Sequence, residues 1–153
     1  MSDFGKLLTA VITPFDINGV LNTDTLWRLC KKLVHEKSDG LVLSGTTGES
    51  PNLTKEDRKI IYSTAKDSVG DKAKIIAGTG TYSTKESIEY TKMANDIGVD
   101  GIMIVTPYYS KPSQFGILKH FEEISKNTDL PICLLYTSPS PRDRSLSRMP
   151  SSA

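Results

Sequence analysis

Leu41-Val42-Leu43-Ser44-Gly45-Thr46-Thr47-Gly48-Glu49-Ser50 decides how the rest of the chain is read. It begins as a short apolar run, long enough for a buried strand and too short for a helix. Two glycines then bracket a pair of adjacent threonines. Thr54, with Asp57 three residues later, has the spacing of a helix capping box. The order is buried strand, glycine-rich polar turn, helix. In α/β folds, ligands gather at the turns that follow the carboxyl ends of parallel strands. Glycine lets backbone approach a ligand and exposes N–H groups, while a threonine hydroxyl both donates and accepts. That combination suits a small carboxylate or keto acid. An ordinary strand-to-helix turn uses the same residue types, so this stretch alone leaves both readings open.

Outward from this turn the same unit recurs. Leu7 to Thr13 is apolar and β-branched, stops at Pro14 and predicts a first strand. Asp16-Ile17-Asn18-Gly19 is turn chemistry. Leu26, Leu29, Cys30, Leu33 and Val34 form an apolar stripe at helical spacing. Asp39-Gly40 turns the chain into the strand at Leu41, whose helix is expected from about Lys55 to Val69 with Gly70 as its C-terminal cap. Ile75-Ile76-Ala77 predicts a third strand, ending in Gly78-Thr79-Gly80. Ser83 and Glu86 have capping-box spacing, and Tyr90, Met93, Ala94 and Ile97 form the next buried face, up to Gly98. Asp100-Gly101 leads into a fourth strand, Ile102 to Thr106, echoing Asp39-Gly40. Pro107 ends it and Tyr108-Tyr109-Ser110-Lys111-Pro112 forms a loop. Ile117, His120, Phe121 and Ile124 mark a fourth helix, and Asp129-Leu130-Pro131-Ile132 opens a fifth strand.

Strand starts at Leu7, Leu41, Ile75, Ile102 and Leu130 are separated by 34, 34, 27 and 28 residues. That is the repeat of consecutive βα units, which serves both the eight-stranded barrel and the doubly wound sheet. Gly78-Thr79-Gly80 lacks the third glycine of a dinucleotide fingerprint, since Ser83 stands in its place, and there is no Gly-Lys-Ser/Thr phosphate loop. The nucleotide reading is therefore weak, and no cofactor is expected.

Composition narrows the class. The chain has 153 residues, room for one domain, with 37% hydrophobic and 24% charged residues. A net charge of +1 gives no electrostatic argument for nucleic acid or membrane. No apolar run approaches spanning length and no signal-peptide pattern opens the chain, so the expected location is cytoplasmic. Cys30 and Cys133 show neither metal-ligand nor disulfide spacing. His35 and His120 are isolated in helical patterns and read as surface or packing histidines, so no metal site is expected.

From Cys133 onward the character changes. Periodicity vanishes, and Ser, Pro and Arg dominate through Ala153. On composition this is a disordered tail. Cys133 through Asp143 and Leu146 through Ala153 also back-translate into the two constant parts of a transposase-type sequencing adapter. The expected division is therefore 1–132, a partial barrel domain, and 133–153, a translated adapter to be set aside from fold reasoning. Without that tail the net charge falls to −1.

Thr13-Pro14-Phe15-Asp16, Gly45-Thr46-Thr47-Gly48-Glu49-Ser50, Ala77-Gly78-Thr79-Gly80 and Val105-Thr106-Pro107-Tyr108-Tyr109 occur in the order and spacing of the dihydrodipicolinate synthase family. Residues 1 to about 132 resemble that family continuously. Its wider relatives include N-acetylneuraminate lyase and keto-deoxy sugar-acid aldolases. The resemblance implies the N-terminal half of a (β/α)8 TIM barrel, about four and a half βα units. It also implies a lyase of lysine (diaminopimelate) biosynthesis, in which pyruvate forms a Schiff base with a lysine and condenses with aspartate semialdehyde. By position, Thr46 matches the hydroxyl of a proton-relay triad and Thr47 the residue that holds the pyruvate carboxylate. Tyr109 matches the triad tyrosine that enters a neighbouring subunit's site, which implies a homodimer or homotetramer. Neither Thr nor Tyr is a strong base near neutral pH, but hydroxyls in line can accept a proton on one side and donate on the other.

Departures from the pattern are equally informative. The Schiff-base lysine belongs at the end of a sixth strand, and no lysine follows Lys126. The arginine for the second substrate is missing, and Arg142 and Arg144 fall in adapter-like sequence. The triad's second tyrosine belongs in register at position 135, where the chain has Leu135. Tyr136, one place late, would turn to the opposite face. Tyr82 replaces an asparagine that helps bind lysine in feedback-inhibited members, so the resemblance predicts no such feedback. The chain as given is expected to be inactive. Two alternatives stand beside the synthase reading: a related pyruvate-dependent aldolase acting on a keto-deoxy sugar acid, and a non-catalytic half-barrel used as a binding module.

Overall fold

A computed structural model describes residues 4–135. Five strands, β1 (Leu8–Ala10), β2 (Gly40–Leu43), β3 (Lys74–Gly78), β4 (Gly101–Val105) and β5 (Ile132–Leu135), alternate with four helices. The helices are α1 (Thr23–His35), α2 (Lys55–Val69), α3 (Thr84–Ile97) and α4 (Gln114–Ser125). All strands pair in parallel and in chain order, β1-β2-β3-β4-β5. A doubly wound sheet reverses its order at a switch point, whereas a barrel wall adds each strand beside the last. The order selects the barrel wall.

Local chemistry accounts for the boundaries. Thr54 and Asp57 form the reciprocal capping box on α2, and Gly70 ends the helix at φ 56°. Asn22 caps α1 by accepting from the Thr25 N–H. Ser83 accepts from the Glu86 N–H, but the return half of that expected box is rearranged. The Ser83 N–H donates to Thr81 Oγ1, which itself donates toward the Glu86 carboxylate. Thr81 sits close enough to intercept both partners. β1 is shorter than the run to Thr13 suggests: it ends at Ala10, and Thr13 turns its hydroxyl to the neighbouring turn. β5 opens at Ile132, after Pro131, and runs to Leu135. Cys133, Leu134 and Leu135 thus continue the strand past the boundary expected at 132, through backbone pairing that does not depend on side-chain pattern. Positions 136–153, which carry the rest of the expected tail, lie outside the described residues.

The two Asp-Gly pairs do the same work. The Asp39 carboxylate accepts from the N–H groups of Lys6 and Leu7, and that of Asp100 accepts from the Ile75 N–H. Each ties the start of one strand to the start of the strand before it. The backbone N–H groups at Leu7 and Lys6 hold the Asp39 carboxyl below its ordinary range. The following glycines are needed for space: a Cβ on Gly101 would sit 2.5 Å from the Phe4 ring, which crosses beneath the sheet.

The core lies between the helices and β2, β3 and β4, around Leu41, Ile61, Tyr62, Ile75, Ile102 and Ile104. The outer strands are less covered: β1 exposes Leu8 and Ala10 on one face, and β5 presents exposed residues on both. A central parallel strand buried on both sides reads as a continuous apolar run, as these do.

Candidate active site

The candidate residues gather where the strands end. Ser44 and Glu49, at the two ends of the turn after β2, both take left-handed backbone, at φ 52° and 56°. Non-glycine residues occupy that region sparsely and are held there by surrounding structure. The turn closes on itself: the Gly48 and Ser50 N–H groups donate to Gly45 O at 3.1 and 3.2 Å, and the Glu49 N–H to Thr46 O at 3.1 Å. Thr13, beyond β1, donates its buried hydroxyl to Gly48 O at 2.7 Å. The N–H groups of Thr46 and Thr47 donate to no backbone carbonyl among the described residues, and both residues are exposed.

The bracketing glycines have different reasons to be glycine. A Cβ on Gly45 would point toward the interior, 3.0 Å from Met103 Cε. A Cβ on Gly48 would instead meet Val11 O at 3.0 Å and Ser44 N at 3.1 Å. Gly45 lies on a cavity wall, whereas Gly48 is small because the turn packs against the segment that follows β1.

A cavity of about 300 Å³ opens beside the turn, with Gly45, Thr46, Ser50, Met103 and Tyr108 among its walls. Leu135 also lies on the wall, opposite Val105 in the β4–β5 register. The pocket is therefore apolar at the place where the resemblance puts a tyrosine. Tyr136 lies outside the described residues. Thr46 is on the cavity wall, whereas Thr47 is beside it on the turn and not part of the lining. Tyr109 is 96% exposed, with φ 66°, and does not enter the cavity of its own chain. Its neighbour Tyr108 does, with its ring edge-on to Tyr82 at 5.6 Å. Burial pushes the Tyr108 phenol up, partly offset by the charge of Arg58.

Two residues that sequence reasoning missed hold this end of the barrel. Arg58 is 2% exposed. Its guanidinium donates to Gly78 O at 2.9 Å, to Ser50 O at 2.7 Å and to Ser50 Oγ at 2.8 Å. It also stacks on the Tyr90 ring at 4.6 Å. The Tyr62 hydroxyl donates to the same Gly78 O at 3.0 Å, and burial raises the phenol despite the nearby guanidinium. A signal was available: Arg58, Ile61, Tyr62 and Ala65 fall on one helical stripe, and a cation on an apolar stripe calls for an explanation.

Most backbone donors of the turn after β3 are already committed within the protein. The Thr79 and Gly80 N–H groups both donate to Met103 O, and the Thr81 N–H donates to Ser87 Oγ. Gly78 and Gly80 let strand ends crowd together, since a Cβ on Gly78 would lie 2.4 Å from Ser44 O.

With the geometry in place, comparison with known proteins decides the family. The sequence profile of the dihydrodipicolinate synthetase family matches residues 3–149. The chain belongs to that family.

Among relatives of the dihydrodipicolinate synthetase family, the 4-hydroxy-tetrahydrodipicolinate synthase of Desulforudis audaxviator is 49% identical over 137 residues, covering 90% of this chain and 46% of the relative. The crystal structure of a dihydrodipicolinate synthase from Bacillus anthracis superposes with a TM-score of 0.85 at 44% identity, over 88% of this chain and 46% of that one. An N-acetylneuraminate lyase from Mycoplasma synoviae superposes with a TM-score of 0.83 at 31% identity, over 93% of this chain and 50% of that one. The chain thus spans about half the length of the relatives it matches, and its five strands are the N-terminal half of the family's barrel.

Other titratable groups have structural places in this family member. Burial pushes the Cys30 thiol up to about 11, where it is inert as a nucleophile. His120 is buried between α3 and α4, with Nδ1 3.0 Å from the Thr84 hydroxyl, and His35 is exposed. Among the described residues, no helix is long and apolar enough to cross a membrane, and no His, Cys, Asp and Glu cluster is placed to hold a metal.

Proposed function

We propose that this chain is the substrate-gripping half of a Schiff-base-forming synthase that condenses pyruvate with aspartate semialdehyde. One observation carries the reading: the turn after β2 presents two adjacent threonines with uncommitted N–H groups, one of them on the cavity wall, in a chain of this family. Adjacent backbone donors beside a hydroxyl are suited to a carboxylate. Thr47 with these donors would hold the pyruvate carboxylate, which fixes the keto carbon for attack by an amine. Thr46 would pass protons in line with tyrosine hydroxyls. Tyr109, projecting into solvent, would supply one such hydroxyl to a second copy in a homodimer or homotetramer.

The attacking amine would come from a later strand of the family's barrel, because no lysine among the described residues lines the cavity and none follows Lys126 in the sequence. The chain as given is then inactive, its intact form is a cytoplasmic enzyme of lysine biosynthesis, and the stretch after Ile132 is adapter-derived. Unrelated codons in the DNA record would dispose of that last point. Borohydride trapping with pyruvate tests the rest. The uninterrupted gene product should gain one covalent pyruvate adduct, while the 153-residue chain should gain none. An adduct on the latter would overturn the placement of the amine.

A second reading, a related aldolase for a keto-deoxy sugar acid, is favoured by the close superposition of the N-acetylneuraminate lyase. Turnover of the uninterrupted gene product with aspartate semialdehyde against such sugar acids separates the two.

A further inference from the structure

We propose that Arg58 is a positioning residue, whose guanidinium staples the Gly45–Ser50 turn to the end of β3 and so keeps Thr46 and Thr47 in their binding arrangement. The inference deepens the keto-acid reading and rests on it. Burying a guanidinium is costly, and stability alone is served as well by an apolar side chain of similar size. Yet Arg58 is almost fully buried, and among the described residues no carboxylate lies within ion-pairing distance of it. Its Nε is buried without a partner. The charge is instead spread over two backbone carbonyls, one hydroxyl and the face of Tyr90.

Those acceptors belong to two different strand-to-helix turns. Ser50 closes the turn after β2 through its N–H to Gly45 O, so a hold on Ser50 is a hold on both ends of the Thr46–Thr47 pair. Gly78 ends β3 directly beneath Ser44, and its carbonyl receives Tyr62 as well as Arg58. The planar fork of arginine reaches both acceptors from one rigid group, which the single ammonium of lysine does not reproduce. Arg58 also enters from the second turn of α2, so the helix that the turn leads into anchors that turn.

The test uses the full 153-residue chain, labelled with nitrogen-15, as wild type, Arg58→Gln, Arg58→Lys and Lys59→Gln. The last removes the same charge from the exposed face of the same helix. Two quantities are read: hydrogen exchange at Gly48 and Ser50 relative to Ala77 and Ile104, and pyruvate-induced shifts at the Thr46 and Thr47 amides. In Arg58→Gln, exchange at Gly48 and Ser50 should accelerate about tenfold beyond that at the strand amides, and pyruvate affinity should fall about tenfold. Arg58→Lys should show the same selective acceleration to a smaller extent, and it carries the comparison if Arg58→Gln does not fold. Lys59→Gln should match wild type. Exchange at the turn that rises only in step with the strand amides would reduce Arg58 to a general stabiliser and overturn the proposal. Absence of any pyruvate shift in wild type would count against the keto-acid reading, while the exchange ratios would still decide whether Arg58 fastens the turn.

Discussion

The two loops that carry the candidate residues are built in opposite ways. The turn after β2 is fastened from within by three backbone hydrogen bonds, from the segment after β1 by Thr13 and from α2 by Arg58. The loop after β4 is anchored at its start by Thr106, whose N–H and hydroxyl donate to Leu135 O. Beyond that it has one internal backbone bond, from the Ser110 N–H to Tyr108 O, and the edge-on contact of Tyr108 with Tyr82. Thr46 and Thr47 sit on the first, and Tyr109 stands almost wholly in solvent on the second, at positive φ. The threonine pair proposed to grip a ligand within its own barrel is held by that barrel, whereas the tyrosine proposed to act in another copy stands clear of its own cavity.

Substitutions can break or sharpen that contrast. The largest effect is expected from Gly78→Ala, whose Cβ would fall 2.4 Å from Ser44 O and 2.8 Å from Leu43 O. Backbone at the end of β2 cannot give way cheaply, so urea unfolding should show a loss of about 3 kcal/mol. Thr13→Val keeps the shape and removes the hydroxyl from the buried Gly48 O. It should cost about 2 kcal/mol in the same measurement, with faster exchange at Gly48. Little or no loss would mean that the turn is not fastened from β1.

Acid should loosen the other loop first, through α4. Burial holds the His120 imidazolium below its ordinary value of 6.5, so the unfolded chain takes up that proton before the folded one. The stability is complete above pH 6.5 and drains as the pH falls through the lower folded value. Exchange along α4 should quicken in that window, and His120→Gln should abolish the pH dependence; an unchanged profile in the variant would assign it elsewhere. The smallest effect is expected for Tyr109→Ala, within about 0.5 kcal/mol of wild type in urea unfolding. A loss well beyond that would show the loop to be held by its own chain.

Much of this was legible in the sequence because it was written in local chemistry. Thr54–Asp57, Gly70 and Gly98 mark helix ends by hydrogen bonding and backbone conformation, and the structure places those ends accordingly. The apolar runs at Leu41, Ile75 and Ile102 mark strands by burial on both faces. The βα repeat alone left barrel and doubly wound sheet open, the resemblance of the motifs pointed to the barrel, and the strand order bears it out. What was not legible depends on neighbours distant in sequence. The role of Gly48 needed the position of β1, and the shared grip of Arg58 on Ser50 and Gly78 needed β3. Thr81 diverting Glu86 from its capping box is the same lesson on a smaller scale. Of the three site residues read from sequence, Thr46 stands on the cavity wall, Thr47 beside it and Tyr109 outside, an arrangement that spacing alone does not reveal.

Because spatial order equals chain order, every strand docks on an edge that already exists when it is made. The Asp39 carboxylate latches β2 to β1, and that of Asp100 latches β4 to β3, at the opposite end from the cavity. Growth of this wall on the ribosome can therefore proceed vectorially, one βα unit at a time, without waiting for distant segments. Among the described residues, the same geometry leaves β1 and β5 each with one strand edge unpaired.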